Sequence, residues 1–138
     1  MIDQVQRFSQ TPLAAALAIN GVLVRAATNS QLLLDRLRAE STGSGEEGGM
    51  PAVNWRIVVE GKTEPFKEEL ALQSLKHDGL SFVRISRESF LAGDRHTRSC
   101  ISFITTDLIR EERLFSQYFL RAFVSILDDM KGEKWNES

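Results

Sequence analysis

Apolar and polar positions change period several times along the chain, and each change marks an element. Leu13 to Ile19 and Val22 to Ala27 are apolar runs flanking Asn20-Gly21, a dipeptide that accepts the positive φ angles of a two-residue hairpin turn. Strand, turn, strand is the expected reading, carried mainly by the turn and by Val22-Leu23-Val24. The alanine-rich first arm also has helical propensity, since Ala is the best helix former. Thr28-Asn29-Ser30 then places side-chain oxygens where the amides of a helix start need acceptors, and Leu33, Leu34 and Leu37 recur on one face behind it. A first helix over Ser30 to Glu40 follows.

The Gly/Ser/Glu-rich stretch at 41–51 holds too little apolar surface to offset the entropy of ordering it, about 1–2 kcal/mol per backbone residue, and is expected to be a mobile loop. Beyond it Val53, Trp55, Ile57 and Val59 alternate with Asn54, Arg56 and Glu60, the period of a half-buried strand in which Val58 alone breaks the alternation. Residues 61–77 stay open: Glu68, Glu69, Leu70 and Leu72 suit a helix, whereas Pro65 and the neighbouring hairpin suit extended chain. Leu80 to Ser86, Ser89 to Ala92 and Arg98 to Ile104 predict three further strands in a meander. Thr105 or Thr106 can cap a helical turn around Leu108. After it Leu114, Phe115, Tyr118, Phe119, Ala122, Phe123, Ile126, Leu127 and Met130 form a broad apolar face at helical spacing.

That face needs a cover, and the simplest arrangement lays the long C-terminal helix and the first helix against one face of an antiparallel sheet of five to six strands. The expected fold class is α+β, in a single domain over 1–138. A chain of this length buries about 70% of its unfolded surface, and its 42% hydrophobic and 26% charged residues are those of a folded globular protein. The helix face is wider than one sheet requires. Its excess predicts a homodimer interface through Leu114, Tyr118, Phe119, Phe123 and Leu127.

A formal net charge of -2 leaves no broad basic field, which disfavours DNA or RNA as a partner. Cys100 is the only cysteine, so an intramolecular disulfide and a multi-thiolate metal site are excluded, and a reducing cytoplasm is the expected setting. The first residues lack a basic stretch followed by an apolar run, and Leu13 to Ile19 is too short to span a bilayer, so neither secretion nor membrane insertion is expected.

The densest chemistry is the turn Asp94, Arg95, His96 and Arg98, close to Cys100. A thiol and an imidazole make a nucleophile pair only within hydrogen-bond reach, and a solvated hairpin tip accounts for the same residues. His77 and His96 are too few for a zinc site unless carboxylates complete it, and no HExxH spacing is present. Asp107, Glu111 and Glu112 oppose the positive end of the last helix's peptide dipoles. The glycines at 43–49 match neither GxxxxGK[ST] nor GxGxxG, and no cofactor is expected.

Gly21, Val24, Thr28-Asn29 and Leu33-Leu34, followed by Phe90, Asp94, Phe103, Leu108 and Tyr118-Phe119-Leu120, carry a resemblance over about half the chain. They are similar to the non-catalytic region preceding the nucleotide-binding half of bacterial HPr kinase-like proteins. The resemblance implies an accessory module without the kinase half, for recognition or regulation. The leading expectation is a non-enzymatic module acting through protein contacts as a homodimer. The alternatives are a small acidic secretion-chaperone-like protein, and a small-molecule enzyme or sensor with its site at the 94–98 turn.

Overall fold

The computed structural model describes residues 11–41, 52–61 and 72–131. The loop expected at 41–51 lies, from residue 42 on, outside the described residues, as does 62–71 of the stretch left open. Strands β1 (Leu13–Ile19) and β2 (Val22–Thr28) form the expected hairpin. Asn20 at φ 52° and Gly21 at φ 80° make its turn, and Ile19 faces Val22. Pairing along the whole arm overrides the helical propensity of the alanines, because Leu17 and Ile19 gain burial only on the pleated period.

Helix α1 (Gln31–Glu40) starts at Ser30, whose hydroxyl accepts the Leu33 amide at 3.2 Å, and it buries Leu33, Leu34 and Leu37. Next comes β3 (Val53–Glu60), followed by β4 (Gln73–His77), β5 (Leu80–Arg84), β6 (Phe90–Asp94) and β7 (Ser99–Thr105). All belong to one sheet, which among the described residues has seven strands in the order β1-β2-β3-β7-β6-β5-β4.

This corrects the expected antiparallel sheet of five to six strands in two ways. The additional strand is β4, from the segment left open. The sheet is also mixed, since β2 with β3 and β3 with β7 run parallel. The physical reason is the crossover: α1 carries the chain back to the end from which β2 started, so β3 must enter in the same direction. The meander β4–β6 is then laid outside β7.

Two hydrogen bonds from one side chain extend the β2–β3 ladder beyond its last residue pair. Asn29 donates from its amide nitrogen to the Val59 carbonyl at 3.0 Å and accepts the Val59 amide at 2.8 Å, a side chain standing in for a peptide unit. At the other end the Ala52 amide donates to the Leu23 carbonyl at 2.9 Å.

The C-terminal segment comprises α2 (Thr106–Arg110), a break at Glu111, α3 (Glu112–Leu114), a π-helical stretch Phe115–Leu120 and α4 (Arg121–Lys131). Thr105 occupies the first cap position but its side chain does not cap the helix, while the Thr106 hydroxyl donates to the Glu60 carbonyl at 3.2 Å. The Arg36 guanidinium ties α1 to the end of α2, donating to the carbonyls of Ile109 and Arg110, each at 3.0 Å. That satisfies acceptors which the helix end leaves unpaired.

Helices and sheet meet at Trp55. Its ring stacks on Phe123 with centroids 3.5 Å apart and on Phe119 at 5.3 Å, and its indole N–H donates to the Ser102 hydroxyl at 2.7 Å. A buried indole that left this donor unpaired would cost about 1–3 kcal/mol. Gly93 on β6 lets α4 approach so closely that a methyl group there would overlap Ile126. No helix among the described residues is long and apolar enough to cross a membrane.

Candidate functional site

Helices cover one face of the sheet. On the other face the strand alternation leaves a broad open hollow of about 1000 Å³. Its floor follows from register. One cross-strand row runs from Arg25 through Asn54, Ser99 and Asp94 to Leu80 and His77. The next runs from Ala27 through Arg56, Ile101, Ala92 and Phe82 to Leu75. Beyond the hollow a third row holds Val58, which is buried, with Phe103, Phe90 and Arg84. The middle row is apolar apart from Arg56, and an aromatic ladder crosses beside it, with Phe82 to Phe90 at 5.2 Å and Phe90 to Phe103 at 5.3 Å.

The floor is not merely half-buried. Leu75 is 68% exposed, Leu80 52% and Phe82 38%, and the three are cross-strand or diagonal neighbours on β4 and β5. At the opposite end Arg25 and Arg56 occupy adjacent strands, both exposed, and neither has a hydrogen bond or ion pair among the described residues. An apolar floor beside two open guanidiniums suits a ligand carrying both apolar groups and carboxylates.

The expected polar cluster sits at the rim, where it holds turns together. Asp94 accepts the His96 backbone amide at 2.9 Å, and the Arg95 amide donates to the Gly79 carbonyl at 2.9 Å. The His96 ring lies against Gly79, so closely that a side chain at 79 would come within 2.6 Å of Nε2. Arg98 takes a left-handed φ of 53° while its carbonyl accepts the Asn54 amide at 3.0 Å. The hairpin tips bearing His77 and His96 do converge, yet among the described residues no group of three His, Cys, Asp or Glu side chains comes together.

Cys100 is buried on the helix side. Its thiol contacts the Ile101 carbonyl at 3.9 Å, whereas His96 is exposed at the turn. Burial pushes the thiol up to about 12, only partly offset by hydrogen bonds involving Ser102 and the Ala92 backbone, so at neutral pH it is a protonated core group.

The candidate interface on the C-terminal helix needs correction. Phe119, Phe123 and Leu127 are fully buried in the protomer's own core, and Leu114 and Tyr118 are half-buried. The width that suggested an unused face is consumed by Trp55 and by the π-helical stretch, whose extra residue per turn keeps Phe115 and Phe119 on the side from which α4 continues.

Sequence reading overlooked the floor itself. Its signal was present in β5 to β7, where apolar residues occupy both alternating sets, Leu80 and Phe82 as well as Val83, and Ile101 and Phe103 as well as Ile104. A strand apolar on both faces requires a second cover or a ligand. Comparison with protein-family models, with curated proteins and with solved structures finds no match for the chain.

Proposed function

We propose that this protein is a non-enzymatic binding module that receives an extended segment of a partner protein, rich in apolar and acidic residues, on the open face of its sheet. The observation that carries the reading is the joining of exposed Leu75, Leu80 and Phe82 to Arg25 and Arg56, unpaired among the described residues, on one continuous floor. Apolar side chains of the segment cover the floor, and its carboxylates take the guanidiniums, which have no partner to be displaced among the described residues. Holding an extended segment is also what a small acidic secretion-chaperone-like protein does, and a recognition role agrees with the resemblance to the non-catalytic part of HPr kinase-like proteins. The single buried thiol suits a reducing cytoplasm.

The test is an array of extended peptides in which apolar content and charge vary independently, probed with the labelled full-length protein. Peptides both apolar and acidic bind, and binding weakens with salt. Phe82→Asp and the pair Arg25→Glu with Arg56→Glu each abolish it while the circular dichroism spectrum is unchanged. Binding blind to peptide charge, or binding that survives both changes, overturns the proposal.

A further inference from the structure

The outer edge of β4 borders the floor and shares Leu75 with it. Among the described residues β4 ends the sheet, and all five of its residues are exposed. Its hydrogen-bonding direction follows from the turn it shares with β5. Asp78 at φ 49° and Gly79 at φ 86° form a two-residue turn between paired His77 and Leu80, so that pair exchanges both backbone bonds. Alternation then points the amides and carbonyls of His77, Leu75 and Gln73 toward β5, and those of Ser74 and Lys76 outward. Neither outward residue has a backbone partner among the described residues.

Edges of this kind are ordinarily guarded by a lysine, a proline or a bulge. Here β4 contains no proline, and its lysine is drawn to the helix side, where Lys76 Nζ lies 2.7 Å from the Asp129 carboxylate. Self-pairing is also free of charge conflict. In an antiparallel pair centred on Leu75, Ser74 faces Lys76 of the second copy, Gln73 faces His77, and Leu75 faces Leu75. This register alone overlaps the full strand and uses both outward-pointing residues. Centring on Lys76 would set two ammonium groups opposite each other.

We infer that two copies of this chain associate through β4, antiparallel about a two-fold axis at Leu75, so that their sheets become one. The occupant is a second copy because the outward hydrogen-bonding groups of the strand pair with their own copy in this register without opposing like charges. Leu75, the most exposed large apolar side chain among the described residues, is covered at the axis, where a non-hydrogen-bonded pair brings Cα atoms to about 4.5 Å. The two open faces then adjoin as one longer floor. A single strand pair buries little area, so the dimer is of the weak class, forming at micromolar to millimolar concentration.

The test uses the full chain and a geometry that only this register satisfies. Leu75→Cys places two thiols within disulfide distance across the axis, whereas Gln73→Cys places them about 13 Å apart. Under copper-phenanthroline oxidation, Leu75→Cys is expected to form a covalent dimer and Gln73→Cys to remain monomeric, the native Cys100 being buried. Sedimentation equilibrium of the unmodified protein shows concentration-dependent dimer. Ser74→Pro, which removes an outward N–H and leaves the β5 ladder intact, weakens it about tenfold or more. Equal crosslinking of both cysteine variants, dimerisation indifferent to Ser74→Pro, or a monomer at every concentration with no Leu75→Cys crosslink overturns the inference. None of these outcomes depends on peptide binding to the floor.

Discussion

Replacing Gly93 with alanine tests how the helical layer is seated on the sheet. The backbone at Gly93 is ordinary strand without a positive φ, so any cost is steric. An added methyl would overlap Ile126 Cγ2 and come within 3.4 Å of Met130 Cε. Ile126 is β-branched and held at one rotamer in a helix, and at 0% exposure it cannot relieve the overlap by turning out to solvent. Overpacking of this kind costs about 1–3 kcal/mol, against which reduced unfolded-state freedom returns about 0.4–1 kcal/mol. The expected net loss is about 1–2 kcal/mol. Ile126→Ala alone removes the obstructing methyl and costs about 2–5 kcal/mol through the cavity it leaves. In the double variant the methyl at 93 occupies part of that cavity, so the combined loss falls short of the sum by about 1 kcal/mol or more. Urea denaturation followed by far-ultraviolet circular dichroism measures all three. A neutral or stabilising Gly93→Ala, or strict additivity in the double variant, would show that α4 does not rest on β6 as described.

Two further expectations follow from the core. Phe123→Ala removes a fully buried ring stacked at 3.5 Å on Trp55 and should cost about 3–5 kcal/mol by the same denaturation, a loss below 1 kcal/mol contradicting the packing. Cys100 should resist thiol reagents at pH 8 until the protein unfolds. Because its ionisation rises from 9.0 to about 12 on folding, the stability held by the neutral thiol is complete below pH 9 and is lost as pH climbs from 9 toward 12. Thermal unfolding of Cys100→Ala should lack that component of the alkaline decline, and identical alkaline profiles would refute it.

Much of the local structure was legible because its determinants are local. Asn20-Gly21 dictates the first hairpin, Ser30 caps α1, and the alternation from Val53 to Val59 describes a strand with one face inward. β4 escaped because none of its five residues is buried, so no period of two was there to find. Parallel pairing escaped for a different reason: a strand's own pattern does not record the direction of its neighbour. The candidate site was hidden in the same way. Arg25 and Arg56 look like the ordinary solvent side of two half-buried strands, and only the β2–β3 register makes them neighbours. The polar turn at 94–98 attracted notice by composition, yet the Asp94 carboxylate and the turn's backbone groups are occupied in holding the turn and the adjoining hairpin tip.

The amide of Asn29, bound both ways to Val59, and the backbone bond from Ala52 to Leu23 grip β3 against β2 at its two extremities. Because those grips lie inside the framework, the spacing of the two strands does not depend on the length of the chain between residues 41 and 52. Doubling that connection adds only about 0.6 kcal/mol of closure entropy. The crossover is thus the natural place to splice foreign sequence into this protein, far along the chain from the β4 edge and attached to the sheet through strands that are already clamped.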